Sequence, residues 1–465
     1  MRILLINSPI NFNMKFNPIL DTLLPPLGLA YLAAMIEKNH IVKIVDFAKH
    51  KFSDDILKIL TADFDAIGIS ATTFSFLNAI ALSQKCKGFN SNIRIIIGGP
   101  HITSNPESFS TGEFDYAVLG EGEITFEKLI EALDKKEKLD NVDGIIFKDN
   151  NRIIKNKPRI YVSNIDDLPL PQRKLIDDFK DYNPTLISAR KLPSTQIIAS
   201  RGCPFHCTFC DKKVFGNNYR HHSVDRIIKE IKTLIDEFNI KDIRFFDDIF
   251  TCKKKHILNL CQRIIDENIK ITWSCQTRLD FLDEELLDIM KKSGCWQITF
   301  GIERFDNTGL KKVNKKLSID FIRDSIRMIQ KFNIETRGYF IVGFPDDTHE
   351  YILRSVEQID KILLESINFF PLMLLPGTEM TEKILLSPDY KSDNCHFIPN
   401  TMTKETLIET INKCYKIYFL NFSYILFILK FLLRNPGRIK VYFQSFIFLI
   451  LFQFNTKSKD KLFNA

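Results

Sequence analysis

Residues Thr195-Gln196-Ile197-Ile198-Ala199 run directly into Ser200-Arg201-Gly202-Cys203-Pro204-Phe205-His206-Cys207-Thr208-Phe209-Cys210. The first five read as a buried strand, and the rest as a cysteine loop at its carboxyl end. The Cys-x3-Cys-x2-Cys spacing can hold three corners of a four-iron cluster and leave the fourth iron open. No fourth cysteine follows closely, since the next is Cys252, unlike the four-cysteine run of electron-carrying ferredoxins. A structural zinc site, with His206 or a remote cysteine as fourth ligand, is the competing reading. Such sites usually show two Cys-x2-Cys knuckles, and only one pair exists here.

Working outward, strand patterns recur at Asp242–Phe246, Ile271–Gln276, Gln297–Ile302, Thr336–Val342 and Ile367–Leu372. Helical patterns such as Val224–Phe238 and Ile319–Phe332 separate them. Six strand–helix units predict a partial parallel (β/α)6 barrel, whose active site gathers at the carboxyl ends of the strands. Upstream, apolar runs at Arg2–Asn7, Ile41–Asp46, Ala66–Ser70, Arg94–Gly98 and Tyr116–Leu119 alternate with helical stretches. That pattern predicts an α/β, doubly wound, Rossmann-like domain over residues 1–140. Residues 141–190 read as a hairpin around Asp149-Asn150-Asn151 followed by the Pro-rich linker Asp167–Pro171. The barrel is expected over 191–395 and a helical, apolar and basic region over 396–465.

Ten cysteines in 465 residues are too few and too irregular for a disulfide scaffold. The N-terminal apolar run is too short for a signal peptide, so a cytoplasmic, reducing compartment is expected. The net charge of +7 is localised: residues 413–465 carry nine Lys or Arg against Asp460 alone. The main body is therefore near neutral, and nucleic-acid binding is not expected. Ile417–Leu429 and Val441–Thr456 are uncharged for 13 and 16 residues, short of the roughly 20 that a spanning helix needs. A helical pair on the inner membrane interface or packed on the barrel accounts for both length and charge.

The cysteine loop resembles that of the radical S-adenosylmethionine enzymes. The resemblance implies a [4Fe-4S] cluster on Cys203, Cys207 and Cys210, with S-adenosylmethionine chelated by the open iron. One-electron reduction of the sulfonium would then release a 5′-deoxyadenosyl radical. Phe209 stands where family members place an aromatic near the adenine. Asp247 and Asp248 stand where polar contacts reach the methionine end of the ligand. A routine explanation is that these two carboxylates precede a helix N-cap at Thr251. Glu303 falls at the position that commonly meets the ribose. Gly338–Pro345, with Gly343, resembles the strand that packs along the adenine. Arg278 could meet the ligand carboxylate, or have only a surface partner.

The first domain lacks Gly-x-Gly-x-x-Gly after its first strand, so a dinucleotide is not expected. It instead shows Ser70-Ala71-Thr72 and Gly98-Gly99-Pro100-His101. These resemble elements of cobalamin-binding domains, where small residues at strand ends leave a slot for the nucleotide tail. The axial-histidine motif is missing, because Asp21–Gly28 reads Asp-Thr-Leu-Leu-Pro-Pro-Leu-Gly. Cobalt coordination by a protein histidine is therefore not expected, and His101 reads as a loop residue near the corrin. Pro25 through Gly28, and Gly120-Glu121-Gly122-Glu123, resemble loops of the cobalamin-binding radical branch. The ordinary alternative for both is a helix start.

Together these resemblances imply a cobalamin-dependent radical enzyme that methylates an unreactive carbon. A cyclase or oxidative rearrangement like the anaerobic cyclase of chlorophyll biosynthesis, and a non-catalytic cobalamin or cluster sensor, are the alternatives. The implied partners are a small, apolar substrate and a flavodoxin- or ferredoxin-type electron donor.

Overall fold

The computed structural model describes residues 1–9, 24–49, 53–150, 152–177, 179–182, 184–185, 187–357, 362–393 and 395–444. The first sheet contains β1 (Arg2–Asn7), β2 (Ile41–Asp46), β3 (Ala66–Ser70), β4 (Arg94–Gly98), β5 (Tyr116–Val118), β6 (Ile145–Asp149) and β7 (Arg152–Lys155). Their spatial order is β2-β1-β3-β4-β5-β6-β7. Strands β1 to β5 are parallel, and Ile3 to Ile6 of β1 are wholly buried, as expected of a strand covered on both faces. Helices α1 (Leu27–Ile36), α2 (Asp54–Asp63), α3 (Phe76–Phe89), α4 (Pro100–Ser104) and α5 (Gly122–Lys135) connect them. The hairpin read in the 141–190 stretch joins this sheet: β6 runs antiparallel to β5, pairing Phe147 with Tyr116.

The second sheet holds β8 (Ser194–Ile197), β11 (Asp242–Phe245), β12 (Thr272–Gln276), β13 (Cys295–Glu303), β14 (Glu335–Val342) and β15 (Ser366–Pro371). All neighbours are parallel, in the order β15-β14-β13-β12-β11-β8. A two-residue antiparallel ribbon, β9 (Ser200–Arg201) with β10 (Arg220–His221), sits above the first barrel strand. The crossovers are α6 (Val224–Phe238), α7 (Lys254–Asp266), α8 (Glu284–Lys292), α9 (Asn307–Lys312), α10 (Ile319–Lys331) and α11 (His349–Glu357).

Local chemistry sets these helix starts. Ser223, Asp283 and Ser318 each accept a backbone N–H three residues on, a cap contributing about 1 kcal/mol. Alternation then divides the strands. Phe245, Cys275, Ile298, Phe300, Phe340 and Phe369 are buried on one face, while Arg244, Ser274, Thr299, Arg337 and Tyr339 occupy the other register. Arg244 Nη2 lies 3.5 Å from the Tyr339 hydroxyl, although two strands separate β11 from β14. A flat sheet would hold those strands roughly 14 Å apart, so the sheet curls with its polar face inside.

After β15 come α12 (Glu379–Leu385), α13 (Lys404–Phe419) and α14 (Phe422–Arg434). Helix α13 buries Leu407, Ile411 and Cys414, and its Tyr418 hydroxyl accepts from Leu364 N at 2.8 Å. Helix α14 buries Tyr424 alone. Arg438, counted among the basic residues of the tail, is buried and ion-paired with Glu335 at 2.8 Å. Among the described residues no single helix is long and apolar enough to cross a membrane; the pair α13 and α14, bent by 60°, meets the length and composition together. Most of the apolar run Val441–Thr456 lies outside the described residues.

Candidate active site

The cysteine loop is closed at its base by the β9–β10 ribbon. Gly202 makes this closure possible. Its φ is +86°, and a Cβ there would lie 2.3 Å from the Asn218 carbonyl oxygen, so any side chain would push the ribbon apart. Cys203 N donates to Gly216 O at 3.3 Å and Cys210 N to Cys207 O at 3.2 Å. The barrel holds the far side: Thr208 N donates to Val313 O, Met380 N donates to Thr208 O, and Asn314 Nδ2 donates to His206 O at 2.8 Å.

All three cysteines are free thiols, with Cys210 exposed and the other two partly so. Crowding by surrounding protein, then the charges of Asp248, Cys203 and Cys207, push the Cys210 thiol up to about 12. Binding a metal group must therefore displace protons from this loop. Among the described residues no three His, Cys, Asp or Glu side chains are arranged to hold a metal ion. A multi-iron cluster takes one thiolate per iron, and the mutual influence of these three sulfurs on one loop suits it. His206 lies beside Lys212 Nζ at 3.4 Å, an unfavourable neighbour for a zinc ligand.

The barrel strand ends surround the loop. Asp247 is buried and accepts from Ser200 Oγ at 2.5 Å and from Ala199 N at 3.3 Å. Burial pushes its carboxyl up to about 7 against those hydrogen bonds. Asp248 follows it, exposed at the same strand end. Asp247 thus braces the base of the loop. Glu303 adopts φ +71° at a register shift in β13 and pairs with Lys315 at 3.0 Å; a strained, non-glycine residue at a strand end is a functional signal. Phe209 packs at the edge of Phe344 at 6.5 Å. Gly343 N and Phe344 N both donate to Asp347 Oδ2 at 2.9 Å. Arg278 is buried rather than at the surface: it pairs with Asp280, donates to Lys315 O, and lies 3.7 Å over the Phe205 ring.

Sequence reasoning missed Arg304, which is buried beside Glu303, pairs with Asp347 at 2.7 Å and lies 4.3 Å over Phe344. It fixes the turn that carries Gly343. Its only sequence signal is a charge directly after a strand.

In the first domain the ends of β3 and β4 meet backbone to backbone. Ala71 N donates to Gly98 O at 3.0 Å, and a Cβ on Gly99 (φ +100°) would lie 2.7 Å from Ala71 O and 3.1 Å from Ser70 Oγ. Thr72 is held by Ser75 Oγ through its N–H at 3.0 Å. Gly120 N donates to Thr103 Oγ1 at 3.0 Å, and open space lies beside both Gly120 and Gly28. The open space beside Gly28 and Gly120 gives a nucleotide tail room at these carboxyl ends. Pro25 O accepts from Gln196 Nε2 of β8 at 2.8 Å, tying the Pro-Pro-Leu-Gly loop to the barrel. His101 is buried, stacked on Phe76 at 3.9 Å and 3.3 Å from Thr73 Oγ1. Burial lowers its imidazole to about 4.

Glu121 does not face open space. It accepts from Arg201 at 3.0 Å, from Arg220 at 2.9 Å, and from Val162 N at 2.9 Å. Glu123 takes the second arm of Arg201 at 2.5 Å. Ser104, at the end of α4, bonds to Asp211 directly after Cys210. The two sites share one seam.

A three-cysteine loop on a parallel barrel, set against a Rossmann-like slot without an axial histidine, defines a two-cofactor radical enzyme. The comparisons agree. Residues 197–359 match the radical SAM superfamily and residues 20–130 the B12 binding domain. An uncharacterized methyltransferase of Pyrococcus horikoshii is 33% identical over 96% of this chain and 99% of its own length. The anaerobic magnesium-protoporphyrin IX monomethyl ester cyclase of Rubrivivax gelatinosus is 23% identical over 86% of this chain and 75% of its own. The radical S-adenosylmethionine methyltransferase TsrM of Kitasatospora setae, solved with tryptophan and an S-adenosylmethionine analogue, superposes with a TM-score of 0.70 at 16% identity. That likeness covers 90% of this chain and 89% of TsrM. The chain belongs to the cobalamin-binding radical S-adenosylmethionine enzymes, with a [4Fe-4S] cluster, S-adenosylmethionine and cobalamin as cofactors.

Proposed function

We propose that this enzyme methylates an unreactive carbon of a small substrate at the seam between its two cofactor domains. The observation that carries the reading is the direct bonding of the cysteine loop, through Arg201 and Asp211, to Glu121 and Ser104 of the cobalamin domain. When bound, the cluster with S-adenosylmethionine supplies a carbon radical, and cobalamin supplies a methyl group.

The chain's own residues hold and shield these groups. Cys203, Cys207 and Cys210 ligate the cluster, and Asp247 holds the loop at the strand end. Phe209, packed with Phe344, covers the adenine; Glu303, oriented by Lys315, meets the ribose; Gly343 lets the strand end turn against Leu407 and offers its backbone to the ligand. Ser70, Thr72, Gly98, Gly99, Gly120, Pro25 and Gly28 line the cobalamin slot. His101, stacked on Phe76, would support the slot and not serve as a cobalt ligand. A flavodoxin- or ferredoxin-type protein delivers the electron.

Anaerobic reconstitution with substrate candidates separates the chemistries. Methylation yields S-adenosylhomocysteine together with 5′-deoxyadenosine. Deoxyadenosine alone would favour the second reading, a cyclase or oxidative rearrangement, which the extent of similarity to the Rubrivivax cyclase keeps in view.

The enzyme works in the cytoplasm, touching the inner membrane face through α14. That helix exposes Phe422, Leu426, Leu429 and Leu433 beside Lys430 and Arg434, and no acid occurs between residues 410 and 459. An apolar row flanked by bases suits an anionic lipid surface.

A further inference from the structure

The concave face of the barrel carries two guanidinium groups that are not among the residues assigned above to the cofactors. Arg244 of β11 and Arg337 of β14 both approach the Tyr339 hydroxyl. Arg337 is 5% exposed, and it donates to Ser188 Oγ at 3.2 Å and Ile187 O at 2.5 Å. Its Nε has no partner among the described residues. Other buried arginines of this chain have carboxylates: Arg173 has Glu230, Arg201 has Glu121, Arg304 has Asp347 and Arg438 has Glu335. Among the described residues, no ion pair is formed by Arg244 or Arg337.

Two like charges facing one hydroxyl in a confined space are unfavourable unless an anion joins them. Their influence on Tyr339 is visible: burial acts to raise its hydroxyl, but Arg337 and Arg244 outweigh it and hold it below the ordinary tyrosine value. Guanidinium forks match the geometry of phosphate and carboxylate oxygens.

Aromatic surface continues from the pair. Phe246 follows Arg244 in register, 5.1 Å from its guanidinium, and is 43% exposed. Phe370 meets the Tyr339 ring edge-on at 5.4 Å and is 45% exposed. Large apolar rings left open inside a curled sheet, next to unpaired cations, make an amphipathic site.

We propose that Arg244 and Arg337 bind the phosphate or carboxylate of an amphipathic substrate whose apolar part lies against Phe246 and Phe370. This rests on the radical-enzyme reading for the site's purpose, but not for its affinity. Binding is therefore measured on the full chain without added cofactors, so the failure of one reading does not carry the other.

Calorimetric titration with monooctyl phosphate, octanoate and 1-octanol provides the test. At least one anion should bind ten-fold or more tighter than 1-octanol. Arg244→Gln should remove that advantage while leaving 1-octanol unchanged; Arg337→Gln serves as the second variant. Equal binding of octanol and both anions by the unmodified protein would overturn the proposal, whether or not the variants fold. So would undiminished anion binding in a folded Arg244→Gln protein. If Arg244→Gln instead weakens S-adenosylmethionine binding to the reconstituted protein, the anion is that ligand's own carboxylate and the substrate assignment is wrong.

Discussion

Arg201, two residues before Cys203, donates to Glu121 across the domain seam at 3.0 Å, and both side chains are almost wholly buried. A guanidinium in that setting is tolerable only with its carboxylates in place. Tyr31 and Phe215 lie 5.4 and 5.1 Å from its charge centre, so water has little access. Glu121→Ala should cost about 3–5 kcal/mol in denaturant unfolding. Glu121→Gln should cost less, since its amide oxygen still accepts. A change under about 0.5 kcal/mol for the alanine variant, the scale of surface substitutions, would show that this pair does not hold the domains together.

Gly202→Ala tests the loop closure. The methyl group would meet the Asn218 carbonyl, and the backbone would keep a left-handed φ. We expect iron content after anaerobic reconstitution to fall by more than half, while the cobalamin absorption spectrum is retained. Full iron loading would place the loop's constraint elsewhere.

His101 predicts a pH dependence. Burial lowers its folded pKa to about 4 from an ordinary 6.5, so the unfolded chain binds more protons between those values. Its contribution to stability is fully present above pH 6.5 and is lost as pH falls toward 4. The melting temperature of His101→Phe, which keeps the stack on Phe76, should fall less over that window. If His101 is not a cobalt ligand, as proposed, the variant's cob(II)alamin electron paramagnetic resonance spectrum should match that of the parent.

The tail needs a point substitution rather than truncation. Removing residues 413–465 would also remove Cys414, Tyr418 and Arg438, which are buried in the barrel body. Leu426→Glu with Leu429→Glu, both on exposed positions of α14, should leave unfolding unchanged and reduce co-sedimentation with anionic liposomes several-fold. Unaltered co-sedimentation would refute the membrane contact.

Periodicity made most of the fold legible. Strands buried on both faces left unbroken apolar runs, as at Ile3–Ile6, and amphipathic α6 begins and ends at Val224 and Phe238 as its pattern indicates. The cysteine spacing was legible because all three proposed cluster ligands come from one short segment. Pairings between distant residues were not legible. Nothing near Glu121 in sequence points to Arg201, 80 residues on, and its acid-rich loop read equally well as a cofactor contact. Asp247 was legible as a strand-end carboxylate, but only its bonds to Ala199 and Ser200 show that it braces the loop. Arg244 and Arg337 were hidden for the same reason: curvature, not sequence proximity, brings their strands together.

The central claim is radical chemistry initiated from the cysteine loop beside a separately held cobalamin. It is tested most directly by comparing reconstituted parent and Cys207→Ala proteins, under reducing conditions, for cobalamin absorbance and 5′-deoxyadenosine formation. Equal cobalamin in both proteins and deoxyadenosine from the parent alone are expected. Deoxyadenosine formed at an undiminished rate by Cys207→Ala would contradict the claim.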